Sequence, residues 1–519
     1  MNGSGVEYMQ VDSQALIQAL EACWPGCTRE MPSLPDSLRL VLDSRELRAG
    51  DVFIAVPGVA SDGRRYISRA LEAEAALVLF HLDEDHLDEQ GHLDEQESAS
   101  PRDKRLIGLE DLKSRLGEWG RRLFAVPGEM EIIGVTGTNG KSSVTHYIAA
   151  LSEILGRPCG IVGTLGHGRP GHLREGRQTT PGPLELQAML GELAAQGVTR
   201  VAMEVSSHAL DQNRLEGCPV KVAVFTNLSR DHLDYHPGMG AYAAAKARLF
   251  KRPELELAVV NADDSLARLM LAGLPPDVRV LAAGSDEATT LRVLDWQPHP
   301  AGQRVLVAGP RGEFALELAL MGRFNLDNVL LAIATLYGLG ESLDALVEAA
   351  ESLAPVPGRM QLVTVPGRPK VVVDYAHTPD ALDNALQALQ AHLGRQGELW
   401  CLFGCGGERD TGKRSQMARV AATRARRLVI TDDNPRGEDA ALIRHEILAG
   451  LDEPEDERIW CLAGREQAIR CCIQAAKAED VILVAGKGHE TYQEIDGVRH
   501  DFSDVRIVRD VLNDREATR

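Results

Sequence analysis

Residues 131–155 constrain the fold more than any other part of the chain. A strand-like run (Ile132, Ile133, Val135) leads into Gly134-Val-Thr-Gly-Thr-Asn-Gly-Lys-Ser-Ser143. A helix-like run follows, in which Val144, Tyr147, Ile148, Leu151, Ile154 and Leu155 recur at helical spacing. Strand, glycine loop and helix in that order form the context that a phosphate cradle requires. Gly137 and Gly140 let backbone N–H groups approach phosphate oxygens, and the positive end of the helix faces the same anion. Thr138, Asn139 and Ser143 complete the nucleotide loop. Lys141 can neutralise the β and γ phosphates, and the Ser142 hydroxyl can ligate Mg²⁺. The longer spelling G-x-x-x-x-G-K-[ST] needs glycine at 135, where Val135 stands, so this loop is the shorter form G-x-x-G-K-S. A chance glycine turn before a helix is the bland alternative, and the intact context opposes it.

At 519 residues the chain has room for about three domains of roughly 150 residues each. Its hydrophobic content of 44% supports several buried cores, and its formal charge of −20 argues against a general nucleic-acid binder. No apolar run approaches the roughly 20 residues that cross a bilayer, and the N-terminus lacks a basic-then-apolar signal pattern. The expected setting is the cytoplasm, with no membrane partner. Nine scattered cysteines include no C-x-x-C pair, which predicts reduced thiols and neither a zinc site nor a disulfide framework.

The predicted architecture is α/β in three parts. Residues 1–108 hold short apolar runs (Leu38–Leu42, Val52–Val56, Ala75–Leu82) and an acidic insert over about 81–100, built on His81-Leu-Asp-Glu and its repeats at His86 and His92. That insert reads as a solvated loop, with metal binding by its histidines the lesser alternative. A helix is expected from about Leu109 to Phe124. Residues 109–355 carry the nucleotide loop and further strands at Val201–Val205, Val220–Thr226 and Ala258–Asn261. After a Pro355, Pro357, Gly358 linker, residues 356–519 hold four apolar runs: Lys370–Asp374, Leu399–Gly404, Leu428–Thr431 and Asp480–Ala485. Continuous apolar strands alternating with helices imply parallel sheets, with ligands at the strand ends where the polar motifs sit.

Two motifs extend the nucleotide site. Met203-Glu-Val-Ser-Ser-His-Ala-Leu210 puts Glu204 at a strand end, a fitting carboxylate partner for Mg²⁺ beside Ser142. Phe225-Thr-Asn-Leu-Ser-Arg-Asp-His-Leu-Asp-Tyr-His236 also follows a strand, and its setting favours a metal role for His232 over a purely structural one. Lys246, in the helix former Ala241–Phe250, admits two readings: a solvated helix lysine, or an amine turned toward the site.

Gly137–Lys141, Glu204–Ser207, Asn227–Asp234 and the Lys246 helix resemble the ATP-dependent muramyl peptide ligases, whose glycine-loop spelling folylpolyglutamate synthetases share. The resemblance runs from about Leu42 to Phe502, the acidic insert excepted, and is most specific to the diaminopimelate-adding branch. It implies an N-terminal uridine-nucleotide-binding α/β domain, a central P-loop-type ATPase domain and a C-terminal Rossmann-like domain. It implies Lys141, Glu204, His232 and Lys246 as catalytic residues. Lys246 would be carboxylated by CO₂ to a carbamate that, with Ser142, Glu204 and His232, holds two Mg²⁺ ions. The UDP-substrate positions it implies are Leu42, Ser44, Val59, Ala60, Ser61, Gln178, Thr179, Thr180, Ser206, Gln212 and Arg214; Gln178 stands where Asn is usual. The acceptor positions are Arg409, Asp433, Asn434, Pro435, Arg436, Gly486 and Glu490. The planar fork of Arg436 suits the extra carboxylate that diaminopimelate has and lysine lacks, and Glu490 suits an ammonium.

The expected substrates are ATP, UDP-N-acetylmuramoyl-L-alanyl-D-glutamate and meso-diaminopimelate, joined by a monomeric enzyme of peptidoglycan precursor synthesis. Closure of the C-terminal domain over the central one would shelter the intermediate from water. A folylpolyglutamate-type ligase is opposed by the uridine-type N-terminal region and by Asp433–Arg436. A switch or motor ATPase is opposed by Val135 and by the lack of an Asn-Lys-x-Asp element. A non-catalytic homologue is opposed by the filled catalytic positions.

Overall fold

The computed structural model describes residues 9–58, 61–83, 103–233, 235–394 and 396–514. The chain divides into two compact units. The first comprises 1–134, 157–221 and 252–255; the second comprises 135–156, 222–251 and 256–519.

In the first unit, Gln10–Asp12, Ser37–Val41, Val52–Ala55, Leu77–Leu82 and Leu106–Glu110 (β1–β5) form a sheet in chain order. The pair β1–β2 is antiparallel and the rest are parallel. Leu38, Leu40, Ile54, Leu77 and Leu79 pack against Leu16 and Leu20 of the helix Ser13–Cys23 and against Leu116 and Trp119 of the helix Leu112–Leu123. The expected helix from Leu109 therefore starts later. Leu109 pairs with His81 in the sheet, and the left-handed Asp111 separates strand from helix. His81 and Leu82 likewise belong to β4 and not to the acidic loop; residues 84–100 of that insert lie outside the described residues.

Glu131–Thr136 (β6) begins in the first unit and ends in the second. In the first unit the order continues through Arg200–Glu204 (β10), Cys159–Gly163 (β7), Gly166–Arg169 (β8) and His172–Arg174 (β9). Val220–Phe225 (β11) likewise begins in the first unit and ends in the second, where it is followed by Leu257–Asn261 (β12), Arg279–Gly284 (β13), Leu291–His299 (β14), Gly302–Gly309 (β15) and Gly312–Leu318 (β16). The strands β11 to β14 run parallel and β14 to β16 antiparallel.

The last sheet has the order β17-β18-β22-β19-β20-β21, built from Gln361–Val363 (β17), Lys370–Asp374 (β18), Leu399–Phe403 (β19), Arg427–Ile430 (β20), Ile459–Cys461 (β21) and Val481–Ala485 (β22). A hairpin, Tyr492–Ile495 (β23) and Val498–Asp501 (β24), follows. Alternate strand residues feed two cores. Val372, Cys401, Phe403 and Leu483 meet helices Pro379–His392 and Gly412–Arg424, while Val371, Val373, Leu402 and Ile482 meet helices Arg465–Ala475 and Asp504–Asn513. Burial on both faces is why these strands read as unbroken apolar runs. The order places β22 between β18 and β19, and the polar motifs follow the carboxyl ends of these strands, where open α/β sheets usually bind ligands.

All nine cysteines are free thiols. Among the described residues no helix is long and apolar enough to cross a membrane.

Candidate active site

The glycine loop ends β6 and starts the helix Lys141–Ile154. Its shape is fixed by the segment after β11. Thr138 N donates to Asn227 O (2.9 Å), Asn139 N to Asn227 Oδ1 (3.0 Å), and Thr226 Oγ1 to Asn139 O (2.6 Å). Gly137 has φ +150°, and a Cβ there would overlap Thr226 Oγ1, so no other residue fits. The Lys141 ammonium folds back onto the carbonyls of Gly137 (2.9 Å) and Thr138 (2.8 Å), which holds its charge over the loop. Ser142 is buried at the helix start, and Ser143 beside it is buried too.

Lys246 resolves in favour of the inward reading. Its side chain is 1% exposed, its Nζ donates to the same Gly137 carbonyl at 2.7 Å, and the nitrogen lies 4.6 Å from the centre of the Tyr242 ring. Burial first, and the Lys141 charge second, hold its pKa well below the ordinary lysine range, with Asp231 acting weakly the other way. Tyr242, one helical turn earlier, donates to or accepts from Thr138 Oγ1 (3.1 Å) and packs 6.1 Å from the His232 ring. His232 is left-handed (φ +53°) and half exposed, with Nε2 3.4 Å from Asp231 Oδ2.

Sequence reasoning missed Arg359, which follows the Pro355–Gly358 linker. Its guanidinium lies over the Tyr375 ring (4.4 Å) and reaches Ser142 Oγ at 3.4 Å. Asn328, whose Oδ1 abuts Gly140, was missed as well; both lie alone in sequence, far from the loop they touch.

In the first unit Glu204 is buried at the end of β10, accepting from Thr164 N (2.9 Å) and Thr164 Oγ1 (3.2 Å). Thr164 also meets Thr179 Oγ1 (3.0 Å). Thr180 Oγ1 donates to Glu204 O (2.8 Å) and accepts from Ser206 N (3.0 Å), so the segment around Thr179 and Thr180 is anchored on the strand end that carries Glu204. Arg214 donates to Gln178 Oε1 (2.7 Å), Thr180 O (2.8 Å) and Gln212 Oε1 (2.7 Å), bringing four of the expected substrate positions together. Arg177 pairs with Glu46 at 2.6 Å, next to Ser44, which is buried; Leu42 is exposed. Ser61 O accepts from Gly58 N (2.9 Å), while Val59 and Ala60 lie outside the described residues.

Within the second unit the Ser142 hydroxyl, and within the first the Glu204 carboxylate, are each oxygen donors of the kind a hard divalent cation takes. Among the described residues no three His, Cys, Asp or Glu side chains cluster as a metal site by themselves.

The motifs expected to receive the acceptor gather at the ends of β19, β20 and β22. Asn434 is buried, and its Nδ2 donates to Glu490 Oε2 (2.9 Å). Arg436 donates to Gly407 O (2.7 Å), lies 3.7 Å from Glu494 and has φ +53°. Gly486 has φ +115°, and a Cβ there would press on Asp433 Oδ2. Arg409 is exposed, its Cγ close to Gly406. Asp433, Asn434, Arg436, Gly486 and Glu490 thus form one neighbourhood, with Pro435 inside its loop.

Three family descriptions match the chain: Mur ligase family, catalytic domain, over residues 39–118; Mur ligase middle domain over 135–336; and Mur ligase, glutamate ligase domain over 358–488. The chain is 46% identical over 483 residues to the UDP-N-acetylmuramoyl-L-alanyl-D-glutamate–2,6-diaminopimelate ligase of Ectopseudomonas mendocina, covering 92% of this chain and 95% of that one. It is 46% identical over 471 residues to the enzyme of the same name from Pseudomonas aeruginosa, covering 90% and 93%. A solved structure of a ligase with that name matches at TM-score 0.65 and 38% identity, over 91% of this chain and 94% of the other.

Proposed function

The chain belongs to the Mur ligase family, and from that premise we propose that it joins meso-diaminopimelate to the D-glutamyl γ-carboxylate of UDP-N-acetylmuramoyl-L-alanyl-D-glutamate. ATP supplies the energy and leaves as ADP and phosphate, in the cytoplasmic synthesis of peptidoglycan precursor. The observation that carries the reading is Lys246: a lysine buried against the carbonyl of a phosphate loop, its pKa held well below the ordinary lysine range by burial, is poised to take up CO₂. Carboxylation would turn a buried amine into a carboxylate-like ligand. A divalent Mg²⁺, one or two ions, would be held by Ser142, Glu204, His232 and that carbamate, and would neutralise charge on the phosphates.

The backbone N–H groups of residues 137–143 and the Lys141 ammonium would receive the β and γ phosphates. The γ-carboxylate oxygen attacks the γ-phosphorus, the bond to the ADP oxygen breaks, and an acyl phosphate forms. Arg359, already at the Ser142 hydroxyl, would add positive charge where the phosphoryl group transfers. The deprotonated amine of diaminopimelate then attacks the acyl carbon, and phosphate leaves as the amide forms. Arg214 and its partners would hold the uridylyl muramyl dipeptide. Arg436, Arg409, Asp433 and Glu490 would hold the far end of the acceptor, the fork of Arg436 on its extra carboxylate.

This division assigns residues 1–108 to the uridine substrate, 109–355 to ATP and 356–519 to the acceptor, with the first sheet running on through β5 to Glu110. The test is phosphate release and product mass with ATP, Mg²⁺, the UDP-muramyl dipeptide and either diaminopimelate or L-lysine. A product carrying diaminopimelate, and far less of the lysine product, is expected. ATP hydrolysis that ignores the dipeptide contradicts the reading.

A further inference from the structure

The loops after β20 and β22 are tied together by a buried lysine that the reaction above leaves without a task. The Lys487 side chain is fully buried. Its Nζ donates to Asn434 Oδ1 (2.8 Å) and to Glu490 Oε2 (2.8 Å), and Asn434 Nδ2 donates to that same carboxylate oxygen (2.9 Å). Glu494 N also donates to Asn434 Oδ1 (3.0 Å). Three side chains therefore close a ring that fixes the Asn434 amide in one orientation and saturates one oxygen of Glu490. Among the described residues no donor reaches the other oxygen, Oε1. The Lys487 Nζ lies 5.5 Å from the centre of the Tyr492 ring and 5.9 Å from that of Phe502, and Glu490 is its ion-pair partner at 2.8 Å.

We infer that Lys487 is a positioning residue for the acceptor subsite, holding Glu490 and Asn434 so that Glu490 Oε1 is presented to the acceptor's distal ammonium. The inference rests on the reading that Glu490 and the loop Asp433–Arg436 receive the acceptor. A carboxylate free to rotate loses that freedom when a ligand binds; one already clamped by two donors has lost it on folding. Lys487 also balances Glu490 before any ligand arrives, so that this carboxylate is already paired between turnovers. Acceptor recognition then depends on the direction of Oε1 and not on bare charge attraction.

The experiment is steady-state kinetics of the full-length protein with ATP, Mg²⁺, the UDP-muramyl dipeptide and meso-diaminopimelate, comparing Lys487→Met, Lys487→Arg and Glu490→Gln. Lys487→Met should raise KM for diaminopimelate by about tenfold or more while the KM values of the other two substrates stay within about twofold. Lys487→Arg should fall between, because a planar fork keeps the charge but cannot set one nitrogen on both acceptors. An unchanged KM for diaminopimelate in Lys487→Met, with only kcat or Tm lowered, overturns the inference by showing a packing role. If Glu490→Gln also leaves that KM unchanged, the acceptor reading falls and the inference with it; if only Lys487→Met is silent, the acceptor reading stands alone. Should Lys487→Met fail to fold, Lys487→Gln is judged by the same KM split.

Discussion

At the residue scale, Lys246 links burial to chemistry most directly. Only an unprotonated amine adds CO₂, and burial first, with the Lys141 charge second, shifts Lys246 toward that form relative to an exposed lysine. Turnover should therefore fall in CO₂-depleted buffer and return with bicarbonate, and Lys246→Met should lose roughly a thousandfold in kcat. A Met variant near wild-type turnover would remove the lysine from the mechanism. Much of the nucleotide loop was legible in sequence, because Gly137 to Ser142 are contiguous and flanked by strand and helix. The orientation of Lys246 was not, since an alanine-rich helix does not show in sequence which of its faces is covered. Arg359 and Lys487 were missed for a related reason: each takes its meaning from a partner distant in the chain, Ser142 for the one and Asn434 for the other.

At the scale of elements, strands buried on both faces announced themselves as apolar runs, and β6, β10, β11, β12, β18, β19, β20 and β22 lie where those runs are. The antiparallel strands β14 to β16 were not foreseen; in β16 the exposed Glu317 separates buried Leu316 from Leu318 and breaks the run. The loops proposed to receive the acceptor are braced by an ion pair that no motif signals. Arg465, at the start of its helix, and Asp504, at the start of the last one, pair at 2.6 Å and are both fully buried. Arg465 also donates to Ala485 O (2.9 Å) and Asp432 O (3.3 Å), the residues just before Gly486 and Asp433. Arg465→Met leaves Asp504 buried without its partner and should cost roughly 3–5 kcal/mol. The double variant Arg465→Met, Asp504→Leu should recover most of that loss in a denaturant titration. Equal losses in the single and double variants would show that the pair is not what holds the two helices.

At the scale of the whole molecule, a chain with net charge −20 is read as handling three substrates that all carry carboxylates or phosphates. The positive charge it needs is therefore local: Lys141 and Arg359 at the glycine loop, Arg214 beside Gln178, Arg409 and Arg436 at the sheet ends. All but Arg359, which lies between a helix and the next strand, sit in or near a polar motif that follows a strand, so one architectural rule would serve the three proposed binding tasks. The central claim is that these groups activate a carboxylate as an acyl phosphate before the amine arrives. The direct measurement uses UDP-muramyl dipeptide with both γ-carboxylate oxygens replaced by ¹⁸O, followed by mass analysis of the released phosphate. One labelled oxygen in each phosphate, with the other retained in the new amide, is the predicted result. Unlabelled phosphate formed alongside amide product would contradict the account.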